Sequence, residues 1–434
     1  MTTAPITEGD LARFLQQDLT GRDGAAPIFW GGSLFRYDNE RGVWYVWDEA
    51  LCKQEIQKYH KGLHKVGAAK MRGTLDIFKV ILFDDTFFDP QYASYGLGFA
   101  DKFVMVSADG LTITNHSPTH KSRFGYPFPF APGIKPKAFL KFLGEVWPEP
   151  DVTKIQVFQE FLGAALIGAA YQFEKAVFFR GKGSNGKSVL LSVLGELFPK
   201  ASRTSVQPQK WCEDYFLAQL IHSKINIMAD IPSTEMSDSA QFKAVVSGDE
   251  VSCRPIREAP INFRPTGAHV FSANDFPIVR NPDAAFWRRW LAFSFEVKFG
   301  APSDETPEAK PLADKKMLER SLLDEKAAIV AWGLEGAARL LKQKSYTNSP
   351  SCAATLKSWK LAADQVASFI DEMFDLDNEG QIDALDLYQT YRTWTFERGH
   401  HRLAESRFRE RVTSLRVGTL KQGVQTFYRL KEKT

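Results

Sequence analysis

The chain has 434 residues, enough for two to four domains at roughly 100–200 residues each. Hydrophobic residues make up 44% and charged residues 25%, which excludes wholesale disorder, and 34 Phe residues supply material for large cores. Net charge is only +3, but residues 391–434 hold 11 Lys/Arg and 4 Glu, so this tail is +7, the rest is −4, and the tail is the expected polyanion contact.

The N-terminus, MTTAPITEGD, lacks a basic region followed by an apolar stretch, which excludes a secretion signal. Asp10 to Asp18 predicts a short helix. Ser33 to Asp48 reads as a hairpin of two aromatic-rich runs around a polar turn, and FVMVSADGLTITN as a second hairpin turning at Asp109-Gly110. YPFPFAPGIKPK, with four prolines, reads as an extended linker. The pattern from Phe139 to Tyr171 is helical, and its apolar run Phe161–Phe173 is too short to span a bilayer. Four scattered cysteines without a CxxC fit a reducing compartment, and the expected location is cytoplasmic, without a membrane partner.

An alternation follows. Ala176–Arg180 reads as a buried strand, Ser188–Phe198 as a helix, Lys224–Asp230 and Ala268–Asn274 as further strands, which predicts an α/β sheet covered on both faces. Ala301–Pro311 reads as loop, Lys315–Leu341 as helix, and the remainder as helices followed by short strands.

GKGSNGKS, comprising Gly181, Lys182, Gly183, Ser184, Asn185, Gly186, Lys187 and Ser188, matches G-x-x-x-x-G-K-[ST] between a predicted strand and a predicted helix. In such a loop the backbone N–H groups cradle phosphates, the lysine meets the β and γ phosphates of ATP, and the serine ligates Mg²⁺. Asp230 closes its strand 43 residues after Lys187, placed to hold Mg²⁺ through water. Glu235 is the nearest further acid and a weak candidate for polarising the attacking water. Asn274 ends the next strand and could orient that water. Arg288 and Arg289, flanked by Trp287 and Trp290, suit an arginine finger donated to a neighbouring subunit's ATP.

These residues together resemble the superfamily 3 helicases of the AAA+ class, most nearly the helicase half of phage- and plasmid-encoded primase–helicases, a group similar to poxvirus primase–helicases. The middle motif is matched by FKAVVSGDEVSCRP and the sensor strand by REAPINFRPTGAHVFSAND, with Lys187 to Asn274 spanning 87 residues. FWRRWLAFSF matches an arginine pair before an apolar strand. The flanks match more weakly, from about Trp30 to the C-terminus. The resemblance implies a hexameric ring that hydrolyses ATP between subunits and draws single-stranded DNA through its centre. A hairpin from Val251 to Pro265 would enter that channel, with Lys243, Arg254 and Arg257 as candidate phosphate contacts. Many members carry Glu where this chain has Asp230, which leaves the catalytic base open. A primase module does not fit upstream, so a separate primase is a possible partner. Asp84, Asp85 and Asp89 read as turn and cap residues.

Asp375–Asp386 (DLDNEGQIDALD) has most of an EF-hand loop but ends in Asp rather than Glu and has no second hand, so it reads as a loop entering the last domain. Glu405–Arg416 is a basic helix with Phe408, Val412 and Leu415 at core spacing, surrounded by Arg402, Arg407, Arg409, Arg411 and Arg416. With the segment after it as a two-stranded wing, this reads as a winged helix binding duplex DNA.

The expected fold is an α/β, AAA+ P-loop ATPase core (146–345) between an α+β N-terminal domain (1–145), expected to act as a collar, and a C-terminal winged-helix domain (346–434). The expected function is an ATP-dependent, ring-forming DNA helicase for replication of a phage, plasmid or integrated element. The alternatives are an origin-melting initiator or a duplex translocase without processive unwinding, and an RNA substrate is not distinguished from DNA by these motifs.

Overall fold

The structure is a computed structural model of the whole chain. It describes residues 6–60, 67–89, 95–148, 151–231, 239–256, 259–279, 283–301, 309–399, 401–415, 417–422 and 425–433. Among these, no helix is long and apolar enough to cross a membrane.

The first helix, α1 (Glu8–Asp23), starts at a reciprocal cap: the Asp10 N–H donates to the Thr7 hydroxyl, and the Thr7 N–H donates to the Asp10 carboxylate. It is longer at both ends than expected. Strands β1 (Ile28–Trp30), β2 (Ser33–Asp38) and β3 (Val43–Val46) form an antiparallel meander containing the first expected hairpin. Helices α2 (Glu49–His60) and α3 (Ala68–Ile81) complete a small core around Leu15, Leu34, Trp47 and Phe78.

A second antiparallel sheet holds β4 (Gly96–Gly98), β5 (Phe103–Ser107) and β6 (Gly110–Thr114). Ser107 pairs with Gly110, so the turn residues are Ala108 and Asp109, one position earlier than expected. The Asp109 N–H donates to the Ser107 hydroxyl, and Gly110 takes the φ of +125° that a Cβ would oppose.

Residues 121–136 are mostly extended but are not a free linker. Phe124, Tyr126, Phe128 and Phe130 pack onto the central unit, and the Tyr126 hydroxyl donates to Leu197 O at 2.7 Å. Helix α4 (Lys137–Val146) shares that core through Phe139, Phe142 and Leu143. The boundary expected at 145 therefore crosses a continuous apolar core.

After α5 (Thr153–Ile167) come β7 (Ala176–Arg180), α6 (Lys187–Glu196), β8 (Arg203–Thr204), α7 (Asp214–Ala218), β9 (Ile225–Met228) and α8 (Ser239–Ser247). An antiparallel pair, β10 (Val251–Cys253) and β11 (Ile261–Phe263), precedes β12 (Ala268–Ala273), α9 (Ala284–Trp287) and β13 (Trp290–Ser294). The central sheet is all parallel in the order β13-β7-β12-β9-β8. Val177, Phe178, Phe179, Val270 and Phe271 are fully buried, as a sheet covered on both faces requires. The two-residue β8 has no hydrophobic pattern to announce it.

Helices α10 (Lys315–Asp324) and α11 (Lys326–Gln343) follow. A Cβ at Gly163 of α5 would lie 2.1 Å from Gly333 O of α11, and one at Gly336 would lie 2.5 Å from Gln159 O. The small residues in the apolar run at 161–173 thus serve helix–helix contact.

Helix α12 (Pro350–Ala363) returns to the sheet, and the indole N–H of its buried Trp359 donates to Pro277 O at 3.1 Å. The last unit contains α13 (Gln365–Met373), β14 (Phe374–Leu376), β15 (Ile382–Asp383), α14 (Ala384–Glu397), α15 (Glu405–Ser414), β16 (Thr419–Gln422), β17 (Gln425–Tyr428) and β18 (Leu430–Glu432). Its own core holds Phe369, Tyr391, Trp394, Phe408 and Val412. The EF-hand-like stretch serves this fold. Asp377 accepts the Glu379 N–H, Asp383 caps α14 at Leu385 N, and no group of three or more His, Cys, Asp or Glu able to hold a metal occurs among the described residues. Asp84 is likewise a turn residue, accepting the Thr86 N–H.

Candidate nucleotide site

Strand β7 ends at Arg180 and α6 begins at Lys187, so Gly181–Gly186 is a loop at the C-terminal edge of the sheet. Gly183, Ser184 and Gly186 have φ of +52°, +47° and +82°, a run of left-handed residues that turns the chain sharply into the helix. A Cβ at Gly186 would lie 2.5 Å from Val146 Cγ1, and one at Gly181 2.8 Å from Phe295 O. Neither position has room for a side chain.

Asn185 is buried. Its amide donates to Phe295 O at 3.2 Å, and its side-chain oxygen accepts the Lys187 N–H at 3.3 Å. The Phe299 N–H donates to Ser184 O at 2.7 Å. The chain leaving β13 thus braces the loop from one side. Sequence reasoning treated Asn185 only as one member of the loop; nothing in a one-dimensional pattern says which variable position faces inward. Lys182, Ser184 and Ser188 are exposed.

The strand order assembles the rest. Strand β12 lies between β7 and β9, so Gly181, Asn274 and Asp230 follow the C-terminal ends of three adjacent strands. The Lys187 ammonium donates to Gly181 O and Ala273 O at 2.9 Å each, and to Asn274 Oδ1 at 3.3 Å. Burial lowers the Lys187 pKa, and the Asp230 charge opposes that. Asp230 has φ +61°, a left-handed conformation that costs a non-glycine residue of order 1 kcal/mol. The next residue holds it there, the Ile231 N–H donating to Ser272 O at 2.7 Å.

Mg²⁺ coordinates few protein groups besides phosphate oxygens and water. Ser188 and Asp230 are exposed beside Lys187 and their side chains make no hydrogen bond among the described residues, so the donor set fits such an ion. Glu235 lies outside the described residues. Next to the loop, a cavity of about 380 Å³ is lined by Trp147, Lys154, Arg180, Phe276, Glu296 and Thr355.

The arginine pair divides by burial. Arg289 is 7% exposed and turned inward: Nε and Nη2 donate to Ser247 Oγ at 3.0 and 2.7 Å, and Nη1 donates to Ala285 O at 2.7 Å. It is a brace within its own subunit, which corrects the expectation of Arg289 as a finger reaching across. Arg288 is 59% exposed and pairs with Glu174 at 2.7 Å. Both precede β13, at the edge of the sheet opposite the loop. Five strand residues at ~3.3 Å each put them roughly 17 Å from the chain's own loop.

Lys243 is not available for phosphate as it stands, because its ammonium pairs with Asp283 at 2.8 Å. Arg254 is exposed just past β10, and Arg257 lies outside the described residues. In the tail, Arg402 and Arg407 are exposed and have no ion-pair partner among the described residues. Arg409 pairs with Glu405 at 2.5 Å and Arg411 with Asp364 at 2.7 Å. Arg411, expected as a DNA contact, fastens α15 to the start of α13, and Arg416 lies outside the described residues.

Three comparisons bear on this arrangement. Residues 179–289 match the model of a family of unknown function, DUF5906. The chain is 25% identical over 264 residues to the "Putative helicase L207/L206" of Acanthamoeba polyphaga mimivirus, covering 57% of this chain and 27% of that protein. It is 23% identical over 278 residues to the "Putative helicase 022R" of Frog virus 3 (isolate Goorha), covering 60% and 28%. The chain thus spans about a quarter of the length of these relatives. Among solved structures, the A form apo structure of the NrS-1 C-terminal region is similar with a TM-score of 0.53 at 11% identity, covering 96% of this chain and 97% of that one. The NrS-1 segment 305–718 gives a TM-score of 0.52 at 11% identity, covering 96% and 99%. These likenesses show a shared mixed α/β fold over nearly the whole length.

Proposed function

We propose that the chain is an ATP-driven nucleic-acid motor of the superfamily 3 AAA+ kind, a helicase for DNA replication of a mobile or viral element. The observation that carries this reading is the meeting of Lys187, Asn274 and Asp230 on three adjacent strand ends around a glycine-rich loop. The relatives called helicases add to it.

In this reading the loop N–H groups and Lys187 hold the β and γ phosphates, and the neighbouring cavity of about 380 Å³ takes the nucleoside. Ser188 and Asp230 would hold Mg²⁺, which neutralises charge developing on the phosphates. Asn274 orients the attacking water once the γ-phosphate draws Lys187 away from its oxygen. Arg288 serves as the finger for a neighbouring copy, so turnover needs an oligomer, proposed as a hexameric ring. The antiparallel hairpin β10–β11, which precedes β12 in the chain, is proposed to face a central channel. Helices α14 and α15 followed by β16 and β17 support a winged helix that meets duplex DNA through Arg402 and Arg407. The N-terminal unit is proposed as a collar, and a primase as a separate partner.

Phosphate release with and without single-stranded DNA, followed by strand displacement on forked DNA, tests this. DNA-stimulated release that Lys187→Ala abolishes, together with displacement, is the expected result. Release without displacement would favour an origin-melting initiator. No release by the wild type would sink the motor reading.

A further inference from the structure

A second polar site lies at the opposite end of the central sheet. A cavity of about 50 Å³ is lined by Tyr95, Lys121 and Arg123 from the N-terminal part and by Gly168, Lys224 and Thr266 from the central unit. Lys224 precedes β9, Gly168 caps the C-terminus of α5, and Thr266 precedes β12, so the cavity is at the N-terminal edge of the sheet. It is distinct from the loop 181–188, which occupies the C-terminal edge.

Arg123 and Lys224 are partly buried there, and neither makes an ion pair or a side-chain hydrogen bond among the described residues. The Arg123 guanidinium lies 5.2 Å from the Trp30 ring and 5.5 Å from the Phe88 ring, and the Lys224 ammonium 5.4 Å from the Phe124 ring. The rings supply partial compensation through their negative faces. The C-terminus of α5 supplies a little more: a Cβ at Gly168 would lie 2.9 Å from the Lys224 ammonium, so only glycine leaves room for that approach. No carboxylate lines the cavity. Two cations withdrawn from much of their water carry a desolvation cost that an anion between them would offset. His222, just before Lys224, is held neutral by burial and by Arg123 and adds no charge to be satisfied.

We propose that this cavity binds a compact oxyanion of the phosphate class, gripped by Arg123 and Lys224, which locks the N-terminal part onto the ATPase unit. The size fits: at roughly 10–15 Å³ of accessible volume per water, the cavity holds about four waters, enough for a tetrahedral oxyanion and too little for a nucleoside. Arginine supplies a planar fork for two anion oxygens and lysine a point charge, the pairing that recurs where phosphate is held. The phosphate comes either from solution or from a nucleic-acid backbone threaded past this edge.

The test uses the full chain carrying Lys187→Ala, so that the nucleotide loop does not answer for the cavity. Inorganic phosphate is titrated against sodium chloride at matched ionic strength while Tm is followed. The expected result is a phosphate-specific rise of about 1–2 °C at ten times the dissociation constant. Adding Lys224→Met should remove that rise while leaving Tm without phosphate equal or higher, because a buried cation is gone. Arg123→Gln should also remove it. A single-stranded oligonucleotide forms the second arm. Weaker oligonucleotide binding in Lys224→Met assigns the phosphate to a nucleic-acid backbone, and unchanged binding assigns it to free anion. Absence of a phosphate-specific rise in the Lys187→Ala parent, or a full rise in both cavity variants, overturns the proposal.

Discussion

The Lys187 ammonium and the Asn274 side-chain oxygen lie 3.3 Å apart, although 87 residues separate them in the chain. The contact follows from strand order: β12 sits beside β7, so the residue after β12 faces the loop after β7. In the proposed mechanism Asn274 holds the lysine until phosphate takes its place, and then becomes free to bind water. Asn274→Ala is expected to lower kcat for ATP about 100-fold or more while nucleotide affinity changes little. Steady-state phosphate release and equilibrium binding of a labelled nucleotide separate the two effects. Equal losses in both would mean that Asn274 supports the loop rather than the reaction.

The two adjacent arginines should part company experimentally. Arg289→Ala removes hydrogen bonds to Ser247 Oγ and Ala285 O in a buried setting, so it should lower stability by roughly 1–3 kcal/mol, read from denaturant unfolding. Arg288→Ala should leave stability nearly unchanged, because its exposed pair with Glu174 contributes little. It should nonetheless depress turnover about 1,000-fold or more, and mixing it with Lys187→Ala should restore part of the activity. If Arg288→Ala turns over like the wild type, the finger is another residue.

Much of this site could be read from the sequence, and the reasons for what could not are local. The loop 181–188, the strands at 176–180 and 268–274 and the basic helix after 405 announce themselves through glycine spacing, continuous apolar runs and periodic burial. The roles of Arg288 and Arg289 do not, because a pair of identical residues carries no signal of which one turns inward; the neighbour that decides it, Ser247, is 42 residues away. Charge alone reads Arg411 as a DNA contact, and only the fold shows its pairing with Asp364 across 47 residues. The segment 121–136 reads as a linker from its prolines, yet its alternating aromatics bury against the central unit. Asp230 hides a strained φ that no residue pattern reveals.

In the tail, the exposed arginines are expected to carry duplex binding and the paired one to carry stability. Arg402→Ala and Arg407→Ala should each weaken duplex affinity and reduce the slope of log K against log salt by about 1. Arg411→Ala should instead lower the melting temperature, because it leaves the largely buried Asp364 carboxylate, which also caps α13, without its cation. Fluorescence anisotropy across a salt series and thermal melts distinguish these. An unchanged salt slope for both exposed variants would move the duplex contact elsewhere.

The cavity at the other sheet edge leaves a trace in the pH dependence of stability. Burial, reinforced by Arg123, depresses the Lys224 pKa from 10.5 to about 7 in the folded chain. Between those values the unfolded chain keeps the proton that the folded chain has lost. The unfolded state binds more protons, so stability rises with pH, by at most about 1.4 kcal/mol per unit for one site. The penalty is fully present below pH 7 and disappears above 10.5. The other groups facing Lys224 are Arg123, whose pKa burial lowers from 12.5 to about 10 so that it adds to the climb only at the top of this window, and His222, already neutral above about 4. Lys121 also lines the cavity. Urea unfolding of the wild type in phosphate-free buffer should therefore show stability climbing from pH 7 to 10, and Lys224→Met should flatten that climb. Saturating phosphate should flatten it too, because an anion that pairs with the ammonium raises its pKa back toward the free-chain value. Parallel climbs in the wild type and Lys224→Met would show that Lys224 is not the group that titrates.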